Sequence, residues 1–256
     1  MSMSDTPIQP VNTPDPQLLL LGPVQLINPR GQAPCRAAKQ CLEYCAWIVR
    51  YPNQTATTMM RSLLVAEGTR RSNMSRLRLW LGTNNNGQPY LPEAYTGRIR
   101  MDPSVCTDWD RLHMILPGGI NRATEKSLTD ALRLVRGAPL ADTAPGQWHW
   151  AEEWRHEMTT TIRDIGVALG DMAIERGDID LARWATSRAL LAAPEDDKLM
   201  ATRIRIEHLA GNHLEVERLA LHVTRMARTV GRDLSDEMVT TLQEAFEYAD
   251  SDPLVI

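Results

Sequence analysis

Residues 70–81 read RRSNMSRLRLWL and are followed at 82–87 by GTNNNG. Met74, Leu77 and Leu81 are spaced to share one side of a helix, and the Gly- and Asn-rich run stops it. Arg70, Arg71, Asn73, Arg76 and Arg78 fall largely outside that stripe. No acidic residue occurs between Gly68 and Pro92, so nothing within this segment cancels its charge. Guanidinium groups are planar and donate in pairs. A helix studded with them suits the phosphates and base edges of a DNA major groove.

Upstream, residues 36–50 carry Ala38, Cys41, Leu42, Cys45, Ile48 and Val49 at helical spacing, and Tyr51-Pro52-Asn53 breaks the pattern. Thr55 or Thr57 caps a second helix running to about Glu67, with Met59, Leu63 and Leu64 as its apolar face. Gly68-Thr69 is then the turn into the arginine-rich helix. Residues 17–28, QLLLLGPVQLIN, predict one or two short strands around Gly22-Pro23. Downstream, residues 88–92 and 97–101 read as two short strands of a hairpin that carries Arg98 and Arg100. Arg61 extends the basic surface. Helix, helix, turn, basic helix, hairpin is the order of a winged helix-turn-helix. In that fold the third helix enters the major groove and the hairpin touches the backbone or minor groove.

From Cys106 onward the sequence is almost all helix, with segments predicted at 106–116, 121–136, 147–176, 179–192, 196–210, 213–230 and 234–248. Gly177-Asp178 recurs as Gly211-Asn212, an offset of 34 residues, which is the length of a tetratricopeptide unit. Leu169-Gly170, Ala182, Ala189 and Pro194 fall where one such unit needs a first-helix pair, two small crossing residues and a terminator. Val216 and Val223 take the small positions in a degenerate second unit. The fold class expected is therefore mainly α. A winged helix-turn-helix with a small β-hairpin is followed by a tetratricopeptide-like helical repeat domain. Residues 1–16 read as a disordered leader or linker, 17–104 as the winged-helix-like domain and 105–250 as the repeat domain.

Composition agrees with two different partners. The net charge of −4 divides unevenly: residues 1–115 hold 12 Lys and Arg against 8 Asp and Glu, and residues 116–256 hold 16 against 24. Cys35, Cys41, Cys45 and Cys106 form no CxxC pair, so they read as small apolar residues in a reducing compartment. His113, His149, His156, His208, His213 and His222 form no metal-binding spacing, and no GxSxG, Walker or GxGxxG motif occurs. Glu152, Glu153 and Glu157 read as a solvated helix face, and Trp148, Trp150 and Trp154, clustered at a helix start, as an anchor between the two domains, with a ligand platform as the alternative. The expectation is a protein that is not an enzyme and uses no cofactor or metal. No stretch approaches the ~20 apolar residues of a membrane span, and no basic leader precedes Leu18–Leu21.

Beyond the residue patterns, SRLRLWLG with GQPYLPEAYTGRIRMDPSVCTDWDRL after it resembles the winged-helix domain of actinobacterial antibiotic-regulatory-protein (SARP-like) activators. ALRLVRGAPLADTAPGQWHWAEEWRHEM resembles the opening of the bacterial transcriptional activator domain (BTAD) that follows it in that family, through Arg136, Gly137, Pro139, Leu140, Trp150 and Glu152. The resemblance covers about residues 18–248. It is closest to the subgroup in which this pair ends a longer LysM-containing membrane protein, a boundary at which the Pro-rich leader fits a cut. It implies that Arg76 and Arg78 contact DNA, and that the rear domain mediates oligomerisation or meets the transcription machinery.

Taken together, these readings predict a cytoplasmic DNA-binding transcriptional regulator with no membrane contact. Its DNA-binding residues would be Arg61, Arg70, Arg71, Asn73, Arg76, Arg78, Arg98 and Arg100. The expected partners are double-stranded DNA, RNA polymerase or another protein through the repeats, and a second copy in a homodimer. The alternative is a protein-interaction module that does not bind DNA, a tetratricopeptide-like scaffold from a larger signalling or envelope-associated protein.

Overall fold

A computed structural model of the chain describes residues 14–94, 97–143 and 147–247. The expected leader at 1–16 lies outside the described residues up to position 13. The last three positions of the expected repeat domain lie outside them as well. The described chain is mainly helical and forms two units. The first holds residues 14–19, 24–94, 97–108 and 147–150; the second holds 20–23, 109–143 and 151–247.

In the first unit, β1 (Gln17–Leu19) is the middle strand of three. It runs antiparallel to β2 (Gln25–Ile27) and parallel to β5 (Cys106–Thr107), with Leu18 opposite both Leu26 and Thr107. α1 (Ala38–Arg50) buries Cys41, Cys45 and Ile48 of the predicted face, with Tyr44 and Trp47 beside them, and leaves Ala38, Leu42 and Val49 part-buried. β3 (Gln54–Thr55) leads into α2 (Ala56–Leu63), where the Thr55 hydroxyl caps the helix by accepting from the Thr58 amide at 3.1 Å.

α3 (Glu67–Leu81) starts three residues before the expected Arg70. The turn ahead of it is not Gly68-Thr69. Leu64 takes the left-handed conformation at φ 52° and ends α2, and Gly68 lies within the first turn of α3. The last carbonyls of α3 are not left bare: Gly31 donates its amide to Trp80 and Arg30 donates to Leu81, at 3.0 and 3.1 Å. That approach depends on Gly31, where a Cβ would stand 1.9 Å from the Leu79 carbonyl oxygen.

The expected hairpin between 88–92 and 97–101 is corrected by the strand pairing. β4 (Arg98–Ile99) runs antiparallel to β3, with Gln54 opposite Ile99. Pro89 bridges back to Thr83 across the Asn84–Gly87 turn, where the Asn84 side chain accepts from the amides of Asn86 and Gln88.

The second unit opens with α4 (Asp108–Ile115), a 3-10 turn at Ile120–Arg122, and α5 (Glu125–Leu132), which Thr124 and Ser127 cap reciprocally. Leu20 and Leu21 join this unit, their carbonyls accepting from the amides of Leu140 and Arg136. Five helices follow: α6 (Glu152–Glu175), α7 (Ile179–Leu190), α8 (Asp197–Leu209), α9 (His213–Val230) and α10 (Asp236–Glu247). Gly177 and Gly211, both with positive φ, turn α6 into α7 and α8 into α9.

The small residues of the repeat pattern are buried where helices meet. A Cβ on Gly166 of α6 would lie 2.3 Å from the Ala189 Cβ of α7, so this crossing is closed to anything larger than glycine. Glu207 is the unit's buried carboxylate, with its side chain 1% exposed. It accepts from Arg183 and Asn212 and pairs with Arg203 at 2.9 Å. Burial alone would raise its pKa; the two guanidiniums and the amide outweigh burial and hold it below the usual carboxylate value.

Candidate nucleic-acid interface

The eight residues singled out in the sequence all lie in the first unit, but they do not play one role. Around the α3 axis the exposed face is centred on Ser72, Ser75 and Leu79, with Arg71 at its edge. Leu79 is 72% exposed. These three are functional candidates that the sequence reading passed over. The signal was available, because they lie opposite the direction of Met74, Leu77 and Leu81 at 100° per residue.

Arg71 is exposed and pairs with Glu67 one turn earlier at 2.5 Å. Arg76 and Arg78 flank the face and are half-buried. Arg78 donates Nε to the Leu91 carbonyl at 2.8 Å and stands 3.8 Å from Glu93, so it braces the segment after the asparagine turn. The expectation of an uncancelled charge is corrected here. Glu67 and Glu93 lie just outside the acid-free stretch in sequence and return to it in space.

Asn73 departs furthest from its expected place. It is 2% exposed and is part of the core, not of the outer face. Its Oδ1 accepts from Arg76 at 2.8 Å, and its carbonyl lies 3.6 Å from the Cys41 sulfur on α1. Its side chain therefore holds Arg76 from below. Burial pushes the Cys41 thiol up to about 11, with Arg76 pulling weakly the other way, and pushes Cys45 up to about 12. Both stay as thiols near neutral pH, which suits packing and not nucleophilic chemistry.

Arg70, Arg71 and Arg78 line a groove of about 400 Å³ together with Glu93, Ala94, Gly97 and Ile99. Arg98 and Arg100 are exposed and line a neighbouring groove of about 380 Å³ with Glu93 and Asp102. Arg98 also donates to the Asn53 carbonyl at 3.0 Å, which ties β4 to the β3 turn. Arg61 is exposed on α2 and lines neither groove. A basic third helix thus lines one groove, and Arg98 of β4 with Arg100 just after it lines the next.

The fold has a solved counterpart. The chain is similar in fold to EmbR of Mycobacterium tuberculosis. The structure of EmbR in complex with a low-affinity phosphopeptide matches over 93% of this chain with a TM-score of 0.64 and 19% sequence identity. This chain spans 66% of the length of that one. No family model matches the sequence, and no curated protein matches it. The likeness is one of fold. It agrees with the winged helix-turn-helix and helical-repeat architecture that the element order predicts.

The tryptophan cluster at 148–154 divides between the units. Trp148 and Trp150 stack with centroids 5.7 Å apart, and Trp150 Nε1 donates to Glu43 of α1 at 3.1 Å, all within the first unit. Trp154 is buried in the second. Burial raises the Glu43 pKa, against the Trp150 hydrogen bond and His149. Among the described residues no group of three or more His, Cys, Asp or Glu is placed to hold a metal ion, and no helix is long and apolar enough to cross a membrane.

Proposed function

We propose that this protein is a cytoplasmic DNA-binding transcriptional regulator of the SARP-like kind. Residues 17–104 act as its winged-helix domain and residues 105–250 as a BTAD-like domain. α3 enters the major groove, Arg98 and Arg100 meet the backbone beside it, and Arg61 and Arg71 neutralise phosphates. The helical repeats carry contacts to protein, either a second copy or the polymerase.

The observation that carries this reading is the groove lined by Arg70, Arg71 and Arg78 of α3, with Arg98 and Arg100 lining the groove next to it. Two adjacent grooves of the first unit are thereby lined by arginines. Within the interface Arg76 and Arg78 have both contact and bracing roles, and Asn73 acts by holding Arg76.

Fluorescence anisotropy with a random double-stranded DNA pool tests the assignment. The Arg76→Ala/Arg78→Ala double variant is expected to lose at least tenfold in affinity, since each phosphate or base contact contributes roughly 1–3 kcal/mol. Undiminished binding by that variant, with its fold intact by circular dichroism, removes this docking mode.

A second reading, a protein-interaction module without DNA binding, is favoured by one observation. Glu67 and Glu93 already occupy Arg71 and Arg78. Absence of DNA binding at low salt would support it.

A further inference from the structure

Among the described residues, helix α9 turns outward a face that packs against no other helix core. At 100° per residue Leu214, Glu217, Leu221, Arg225 and Arg228 lie within an arc of about 80°. All five are exposed, Leu214 at 81% and Leu221 at 66%. The opposite side of the helix, Val216, Leu219, Ala220 and Val223, is buried against the core of the unit. Phe246 of α10, itself 41% exposed, walls a groove of about 600 Å³ over Leu221 that also takes in Glu217, Arg225 and Arg228. Among the described residues these three charges make no ion pair, whereas the neighbouring Glu215 and Arg218 satisfy each other.

The order of residues along this face is self-complementary. Glu217 stands four positions before Leu221 and Arg225 four after it; Leu214 stands seven before and Arg228 seven after. An antiparallel copy of the same helix, docked across a two-fold axis through Leu221, brings each Glu217 level with an Arg225. Each Leu214 then lies along the aliphatic stem of an Arg228. Every contact occurs twice, and Leu221 meets Leu221 beside the Phe246 rings. A parallel arrangement would set like charges side by side. The face therefore matches a second copy of itself in both shape of pattern and sign of charge.

We infer that this α9–α10 face is a homodimer interface, and that its occupant is the same face of a second copy. The inference deepens the reading of the second unit as the part that contacts protein. It does not rest on DNA contact by the first.

Sedimentation equilibrium of the full chain without DNA, at concentrations from roughly 1 to 100 µM, reads the mass-action shift from the 28.8 kDa monomer to the dimer. Glu217→Arg and Arg225→Glu, each a change of an exposed side chain, are each expected to weaken dimerisation about tenfold or more by facing like charges. The double variant Glu217→Arg/Arg225→Glu restores opposite charges across the axis and is expected to recover the dimer. Leu221→Glu gives the monomer. A wild-type chain that stays monomeric throughout overturns the proposal. So does a dimer indifferent to both single reversals, or a double variant no better than either single one, which would mean that the face meets something other than itself. None of these results bears on DNA affinity measured separately, so the two readings fail independently.

Discussion

Asn73 is the residue at which the account of the interface is most exposed to test. A polar side chain on a basic helix reads naturally as a base contact, yet it is buried and accepts from Arg76. Its loss should act through Arg76. Asn73→Ala is expected to cost the first unit about 1–2 kcal/mol in denaturant unfolding and to weaken DNA binding, with little change in the salt dependence. Arg71→Ala, by contrast, is expected to leave stability within about 0.5 kcal/mol, because its ion pair is exposed, and to make the log K against log salt slope shallower by about 1. The exposed arginines were legible in sequence from their place off the apolar stripe. The burial of Asn73 was not, since periodicity cannot separate a solvated polar residue from one satisfied inside. The same holds for Glu207. Its folded pKa is depressed, so its stabilising effect is fully present above the unfolded carboxylate value of ~4.3 and is lost as pH falls through the lower folded value. Glu207→Gln is expected to cost about 3 kcal/mol at pH 7, the low end for a buried pair because the Arg183 left behind is 33% exposed. It should also flatten the acid arm of the stability–pH curve. An acid arm as steep as that of the wild type would mean that Glu207 is not depressed in the folded state.

The helices follow from their apolar spacing and capping residues, and the sequence reading placed them to within a few residues. What it misplaced are features settled by contacts distant in the chain. Glycine usually marks a break, which predicts the turn before α3 at Gly68-Thr69. Leu64 makes the break instead, and Gly68 has open space around it within the helix. Proximity in sequence predicts residues 88–92 as the partner of β4, whereas it pairs with β3, more than 40 residues earlier in the chain. The offset of Gly177 and Gly211, and the small residues between them, did announce the helical repeats, because close helix crossings leave a mark in composition. Gly166 tests that packing. In the middle of a helix, alanine should be favoured over glycine by about 1 kcal/mol. Here a Cβ would press on Ala189 and on Leu199 at 3.1 Å. Gly166→Ala is therefore expected to destabilise the second unit by roughly 1–3 kcal/mol, read as a lower thermal midpoint. A rise in the midpoint would mean that α6 and α7 can move apart freely.

Across the whole molecule, the charge asymmetry between the halves of the sequence suggests different partners for the two halves. It does not predict where the chain crosses between the two units. Residues 105–108 stay with the first unit because β5 completes the sheet against β1. Residues 20–23 leave it because the Leu20 and Leu21 carbonyls are satisfied at 136–140. Residues 147–150 return to it through the Trp150 bond to Glu43. The function proposed for this pair stands on the arginine-lined surface of the first unit, and its electrostatics make a definite demand. With about four or five phosphates neutralised, affinity for a random-sequence duplex should fall roughly 100-fold or more between ~50 and ~200 mM salt, as condensed counterions are released. The measurement to make is that salt titration, by fluorescence anisotropy on the full chain. Tight binding at low salt with a slope near −4 is the predicted result. No binding at ~50 mM salt, or binding whose slope is near zero, would contradict the assignment of this surface to DNA.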